Sequence, residues 1–157
     1  MTGLFNDPYK YVIDSSALFD LKKNYSPIVF KGVWEKFNKL CDDEIIISVR
    51  EVYNEIKRGD DWLVDWADHH DKIFLEPTTI EEFKLIGELQ ERNPSWIDLY
   101  SDKPSADPFV IACAKTKKLI IVQHELSNRN LPKIAKELGL TCYRLQELFE
   151  AEKWEFQ

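Results

Sequence analysis

Short apolar runs, many of them β-branched, alternate along this chain with longer stretches whose apolar positions recur at helical spacing. Tyr11-Val12-Ile13 is the first such run and predicts a strand ending at Asp14. Ser15-Ser16-Ala17-Leu18-Phe19 opens a helix that breaks near Asn24-Tyr25-Ser26-Pro27. Ile28 to Leu40 resumes with Phe30, Val33, Trp34, Phe37 and Leu40 on one face. Glu44-Ile45-Ile46-Ile47 predicts a second strand, apolar enough to be covered on both faces. Ser48 and Glu51 have the spacing of a capping box for a helix running to Arg58-Gly59. Asp60 to His70 predicts another helix, carrying Trp62, Leu63 and Trp66, and Lys72 to Leu75 a third strand closed by Pro77. Thr78-Thr79 caps a helix through Arg92. The segment from Asn93 to Ser105 holds Pro94 and Pro104 together with Trp96, Ile97, Leu99 and Tyr100, and reads as a short helical turn or a lid. Asp107, as N-cap, and Pro108, at the first helical position, open an apolar helix ending in Lys115-Thr116-Lys117-Lys118. Leu119 to Val122 is the next strand, Leu131 to Leu138 a helix stopped by Gly139, Leu140 to Arg144 a last strand and Leu145 to Glu155 a terminal helix.

Strands alternating with helices predict an α/β fold, a three-layer α/β/α sandwich with a mainly parallel central sheet. No repeat or linker interrupts the pattern, so residues 1–157 read as one domain. Nine Phe, six Tyr and five Trp supply material for a substantial core. No window approaches the roughly 20 apolar residues of a membrane span, and Met1 to Lys10 lacks a signal-peptide pattern, so a cytoplasmic protein without a membrane partner is expected. Cys41, Cys113 and Cys142 are odd in number and widely spaced, which predicts buried free thiols rather than disulfides or a thiolate metal site. The formal net charge of −7 has the wrong sign for a protein that coats nucleic acid. It permits a nuclease whose acidic pocket is neutralised by a divalent metal, and it leaves room for a basic partner.

Four acids carry the candidate chemistry. Ligands of open parallel sheets bind outside the carboxyl ends of the strands. Asp14 directly follows the first strand, and Glu125 stands three residues beyond Val122 at the same end of its strand. The crossover helix feeding that strand must begin at this edge, which brings Asp107 there. Glu55 lies about two turns into the helix leaving the second strand. Singly, each has an ordinary reading: a turn residue at Asp14, an exposed helix carboxylate at Glu55, an N-cap at Asp107, a polar loop residue at Glu125. Glu51 is already explained by its capping box. Together, close carboxylates repel unless one takes up a proton or a cation is present. Sulfur-free oxygen ligands are the preference of Mg²⁺ and Mn²⁺, ions that activate water and stabilise the leaving oxygen of an in-line displacement at phosphorus.

These segments resemble those of the PIN domain, the fold of VapC-type toxin ribonucleases and of many RNA-processing nucleases. Members read strand-Asp-Ser/Thr/Asn, then Ser-x6-Glu with Gly shortly after, then Ala-Asp-x-x-Ile/Val-x-x-x-Ala, then strand-Thr-x-Asp. Here these are Val12-Ile13-Asp14-Ser15-Ser16, Ser48 through Glu55 with Gly59, Ala106 through Ala114, and Val122-Gln123-His124-Glu125. The resemblance implies Asp14, Glu55, Asp107 and Glu125 as catalytic metal ligands, with Ser16 supporting the site. Two positions depart: Gln123 replaces the usual Thr or Ser, and Glu125 replaces Asp with one more methylene. The long stretch from Thr78 to Ser105 suggests a divergent subgroup.

The expected function is thus a Mg²⁺- or Mn²⁺-dependent endoribonuclease, with the acids as ligands rather than as a covalent nucleophile. By resemblance it is the toxin of a toxin–antitoxin pair, a homodimer with an antitoxin or DNA-binding regulator as partner. The alternative is a non-catalytic PIN-like module that binds RNA or a protein; a third reading makes DNA the substrate. His124 is a candidate ligand or phosphate contact against the ordinary reading of a loop histidine. Trp96 and Tyr100 are candidates for stacking on RNA bases. His69-His70 reads as a solvated polar face, because adjacent residues do not share a helix face. No GxGxxG or P-loop occurs, and Asp14 lacks a second Asp two residues on, which disfavours nucleotide-cofactor enzymes and aspartyl-phosphate phosphatases.

Overall fold

The computed structural model describes residues 9–59, 61–77, 79–94, 105–125 and 130–156. Five strands form one sheet in the order β3-β2-β1-β4-β5, every neighbouring pair parallel. They are β1 (Tyr11–Ile13), β2 (Ile46–Val49), β3 (Phe74–Leu75), β4 (Ile120–Val122) and β5 (Cys142–Tyr143). Between and after them run α1 (Ser15–Asn24), α2 (Lys31–Asp42), α3 (Arg50–Lys57), α4 (Asp61–His69), α5 (Ile80–Arg92), α6 (Asp107–Lys117), α7 (Asn130–Glu137) and α8 (Leu145–Ala151). The α1 helix packs on α3 and α3 on α4, while α5 packs on α6 and α6 on α7. The three-layer α/β/α sandwich expected from the alternation is therefore observed, with every strand pair parallel.

The central strands are covered on both faces. All residues of β1 and β2 are buried, and they merge with Leu18, Leu21, Phe37, Val52, Ile56, Val110 and Ile111 into one core. Tyr25 packs edge-on against Phe149, which brings α8 to the end of α1. Among the described residues no helix is long and apolar enough to cross a membrane.

Several local expectations are corrected. Ser48 is not a helix cap: it lies buried within β2, and its hydroxyl donates to the Ile13 carbonyl at 2.6 Å across to β1. Val49 stands at the N-cap of α3 without a side-chain bond, so Glu51 has no capping box to complete. Asp107 is not the N-cap of α6 either. Ala106 holds that position and its carbonyl accepts from Phe109 and Val110, which leaves Asp107 as the first helical residue and Pro108 as the second. The second helix begins at Lys31 rather than Ile28, and the terminal helix stops at Ala151, with Lys153 in the left-handed region. A 3₁₀ turn occupies Asp71–Ile73, which shortens the third strand to two residues. Thr79 does cap α5, accepting from Glu82 N–H at 3.0 Å. Asp60, Thr78, Trp96, Ile97, Leu99 and Tyr100 lie outside the described residues.

Candidate metal centre

The chain leaves β1 toward β2 on one side, and β4 lies on β1's other side, so the sheet has its switch point between β1 and β4. Ile13 pairs with Val122 and Val122 with Tyr143, so Asp14, Gln123 and Arg144 emerge side by side at the carboxyl edge. The Asp14 N–H extends the ladder, donating to the Val122 carbonyl at 2.8 Å. A residue on this edge can turn its side chain into the crevice while its backbone stays anchored in the sheet.

Asp14 is 2% exposed and serves as N-cap of α1. Its Oδ2 accepts from the Ser16 hydroxyl at 2.7 Å and from the Ser16 N–H at 3.3 Å. Its Oδ1 is buried and has no hydrogen-bond partner among the described residues. Burial drives the Asp14 carboxyl above the usual carboxylate range, against the opposing effect of the Ser16 bonds. Asp14, Asp107 and Glu125 each offer a carboxylate oxygen within 4.8 Å of the other two. Asp107 and Glu125 are half-buried. Asp107 is aimed by the first turn of α6, its N–H donating to Ser105 Oγ at 3.2 Å.

Glu55 borders that group. Its Oε1 accepts from the Ser15 hydroxyl at 2.8 Å, and its Oε2 receives a longer contact of 3.4 Å from the Ala106 N–H. Burial raises its pKa, the Ser15 bond opposes this, and the nearby Asp14 charge adds to the rise. Asp14, Asp107 and Glu125 thus share one space, and Glu55, near enough to feel the Asp14 charge, buttresses α1 and the start of α6. Ser16 links Asp14 to the segment after β4: the hydroxyl that donates to Asp14 also accepts from the His124 N–H at 3.0 Å.

Gln123, which stands where a hydroxyl was expected, is 4% exposed and accepts from the Glu125 N–H through its side-chain oxygen. It thereby folds the chain back beneath Glu125. His124 is exposed at the rim, its Nδ1 lying 3.0 Å from Asp20 Oδ2 and 2.9 Å from Arg144 Nη2. Ser15, Asp20 and Arg144 were not singled out by the sequence. Only the strand register could have indicated Arg144, since it sets that residue beside Gln123.

Other candidates resolve into structure. His69 and His70 each turn Nδ1 to the carbonyl four residues back, and His70 stacks on Trp66 at 4.8 Å. The three cysteines are free; burial pushes the Cys113 thiol up to about 12 and Cys142 to about 11.

Fold and site define an open parallel α/β protein with clustered carboxylates at its switch point. The chain belongs to the family described as "Domain of unknown function (DUF4411)", whose model matches residues 11–156. No curated protein matches it. Among solved structures it is similar to PAE2754 from Pyrobaculum aerophilum, with a TM-score of 0.50 and 15% identity over 94% of this chain and 92% of that one. That likeness concerns the fold.

Proposed function

We propose that this chain is a PIN-like, metal-dependent endoribonuclease that hydrolyses RNA phosphodiester bonds. The observation carrying the reading is Asp14 Oδ1, a buried carboxylate oxygen without a hydrogen-bond partner among the described residues, in a group with Asp107 and Glu125. Leaving such an atom unpaired is costly, and a cation is the partner that three clustered carboxylates favour over a further hydrogen bond. The donor set is oxygen only, which fits Mg²⁺ or Mn²⁺.

Asp14, Asp107 and Glu125 would hold the ion. When bound, it supplies positive charge that makes water more acidic and stabilises the oxygen leaving phosphorus. The chain's own residues do the positioning. Ser16 orients Asp14 and ties it to the β4 loop through the His124 N–H. Gln123 fixes the backbone of Glu125, bringing the longer side chain over the group. Glu55 sets the distance between α1 and α6 through Ser15 and Ala106. The PIN resemblance extends the reading to the toxin of a toxin–antitoxin pair, acting as a homodimer.

The second reading is a non-catalytic PIN-like module that binds RNA or a protein, favoured by the engagement of Glu55 with Ser15 and Ala106. Calorimetry with Mn²⁺ and cleavage of single-stranded RNA by wild type and Asp107→Asn separate the two. The nuclease reading expects Mn²⁺ binding and metal-dependent cleavage, with cleavage abolished in Asp107→Asn at an unchanged melting temperature. Absence of Mn²⁺ binding at millimolar metal favours the module, and full activity in Asp107→Asn overturns the nuclease assignment.

A further inference from the structure

Beside the carboxylate group lies an open hollow of about 460 Å³, lined in part by Asp20, His124, Arg144, Glu147 and Glu150. We propose that Arg144 is a substrate contact at this hollow, receiving the phosphate next to the scissile one along a single-stranded RNA. The proposal rests on the nuclease reading and names how that site takes its substrate.

Arg144 is an exposed cation one step from the acids. It follows β5 directly and touches His124, the residue before Glu125, and the His124 N–H reaches Ser16 Oγ, whose own proton goes to Asp14. Acids share the hollow, each with a partner other than the Arg144 guanidinium. Asp20 Oδ1 accepts from the Asn24 amide and Asp20 Oδ2 faces His124. Glu147 Oε1 accepts from the Arg144 backbone N–H at 3.0 Å, and Glu150 Oε1 from the Gln146 amide at 3.1 Å.

Among the described residues no carboxylate pairs with the Arg144 guanidinium, whose side-chain partner is the His124 ring. That bond is replaceable. The same Nδ1 faces Asp20, and one ring nitrogen cannot donate to Asp20 and accept from Arg144 at once. With Nδ1–H turned to Asp20, the guanidinium keeps its planar fork of donors for an outside acceptor, and a phosphate is the acceptor that fork matches. In a protein of net charge −7 a strand approaching the carboxylates needs such a local cation, because an ion held by the acids would serve the scissile group and not its neighbour.

The test compares a dinucleotide, which has one phosphodiester, with a hexanucleotide of single-stranded RNA, both with the full chain in Mn²⁺. Wild type is expected to prefer the hexanucleotide. Arg144→Gln is expected to lose about tenfold or more in kcat/KM on the hexanucleotide, mainly through KM, as for the loss of a charge-assisted hydrogen bond. Its activity on the dinucleotide should stay at the wild-type level, and Arg144→Lys should recover part of the preference. An equal loss on both substrates assigns Arg144 a structural role and overturns the proposal, as does a retained preference in Arg144→Gln. Wild type that binds Mn²⁺ yet cleaves neither substrate, or that fails to bind Mn²⁺, overturns the nuclease reading and this proposal with it.

Discussion

The Ser15 hydroxyl donates to Glu55 Oε1 at 2.8 Å and joins the first turn of α1 to the last turn of α3. Both groups are largely shielded from water, so Ser15→Ala leaves a carboxylate oxygen short of a partner. Removing a hydrogen bond to a charged group costs about 1.5–3 kcal/mol. Urea unfolding should show a loss of that order, and the loss should shrink in a Glu55→Ala background, where the partner is already gone.

Asp14 has its charge buried and one oxygen unpartnered, so its negative charge opposes folding when no cation is present. Asp14→Asn is therefore expected to match or exceed the wild-type melting temperature in chelator. Wild type should gain stability as Mn²⁺ is added, since a ligand binding only the folded state stabilises it, and the variant should not. Thermal scans with and without Mn²⁺ read both arms; a Mn²⁺ response retained in Asp14→Asn would remove Asp14 from the ligand set.

Glu51 gives a pH dependence away from the carboxylate group. Burial, with Glu76 adding to it, raises its pKa, and its Oε1 is buried without a hydrogen-bond partner among the described residues. A glutamate whose pKa is raised on folding favours the folded state fully below its unfolded value of about 4.3. That contribution is lost as pH rises through the folded value. Glu51→Gln, neutral throughout, should be more stable than wild type at neutral pH and should lose the advantage toward pH 4. Urea midpoints measured across that range check the sign.

Lys118 ends α6 in the left-handed region at φ 60°, its N–H returning to the Ala114 carbonyl. Glycine adopts that conformation without the Cβ clash. Lys118→Gly is expected to stabilise the protein by about 0.5–2 kcal/mol, seen as a higher urea midpoint at an unchanged slope.

What was legible in the sequence were features decided within a few residues. Tyr11-Val12-Ile13 and Ile120-Ile121-Val122 are strands because β-branched and aromatic side chains suit a pleated, covered surface. Thr79 caps α5 because its hydroxyl reaches a donor three residues on. The same local logic failed at Ser48. Its spacing to Glu51 is that of a capping box, but the Ile13 carbonyl on a strand distant in sequence takes its proton instead. It failed again at Asp107, where Ala106 takes the N-cap position and Asp107, one residue on, lies in the group with Asp14 and Glu125.

The sequence by itself determined the alternation of elements and the placing of acids near strand ends, because hydrophobic period and turn chemistry act over short distances. Only the tertiary structure decided which acids share a space. Asp14 and Glu125 meet because β1 and β4, far apart in the chain, pair in parallel at the switch point. Glu55 lies beside them, its carboxylate held by the Ser15 hydroxyl and the Ala106 N–H. Arg144 joins the edge because β5 pairs with β4. Strand order and register arise from packing the whole sheet between its helices, and no short stretch of the chain carries that information.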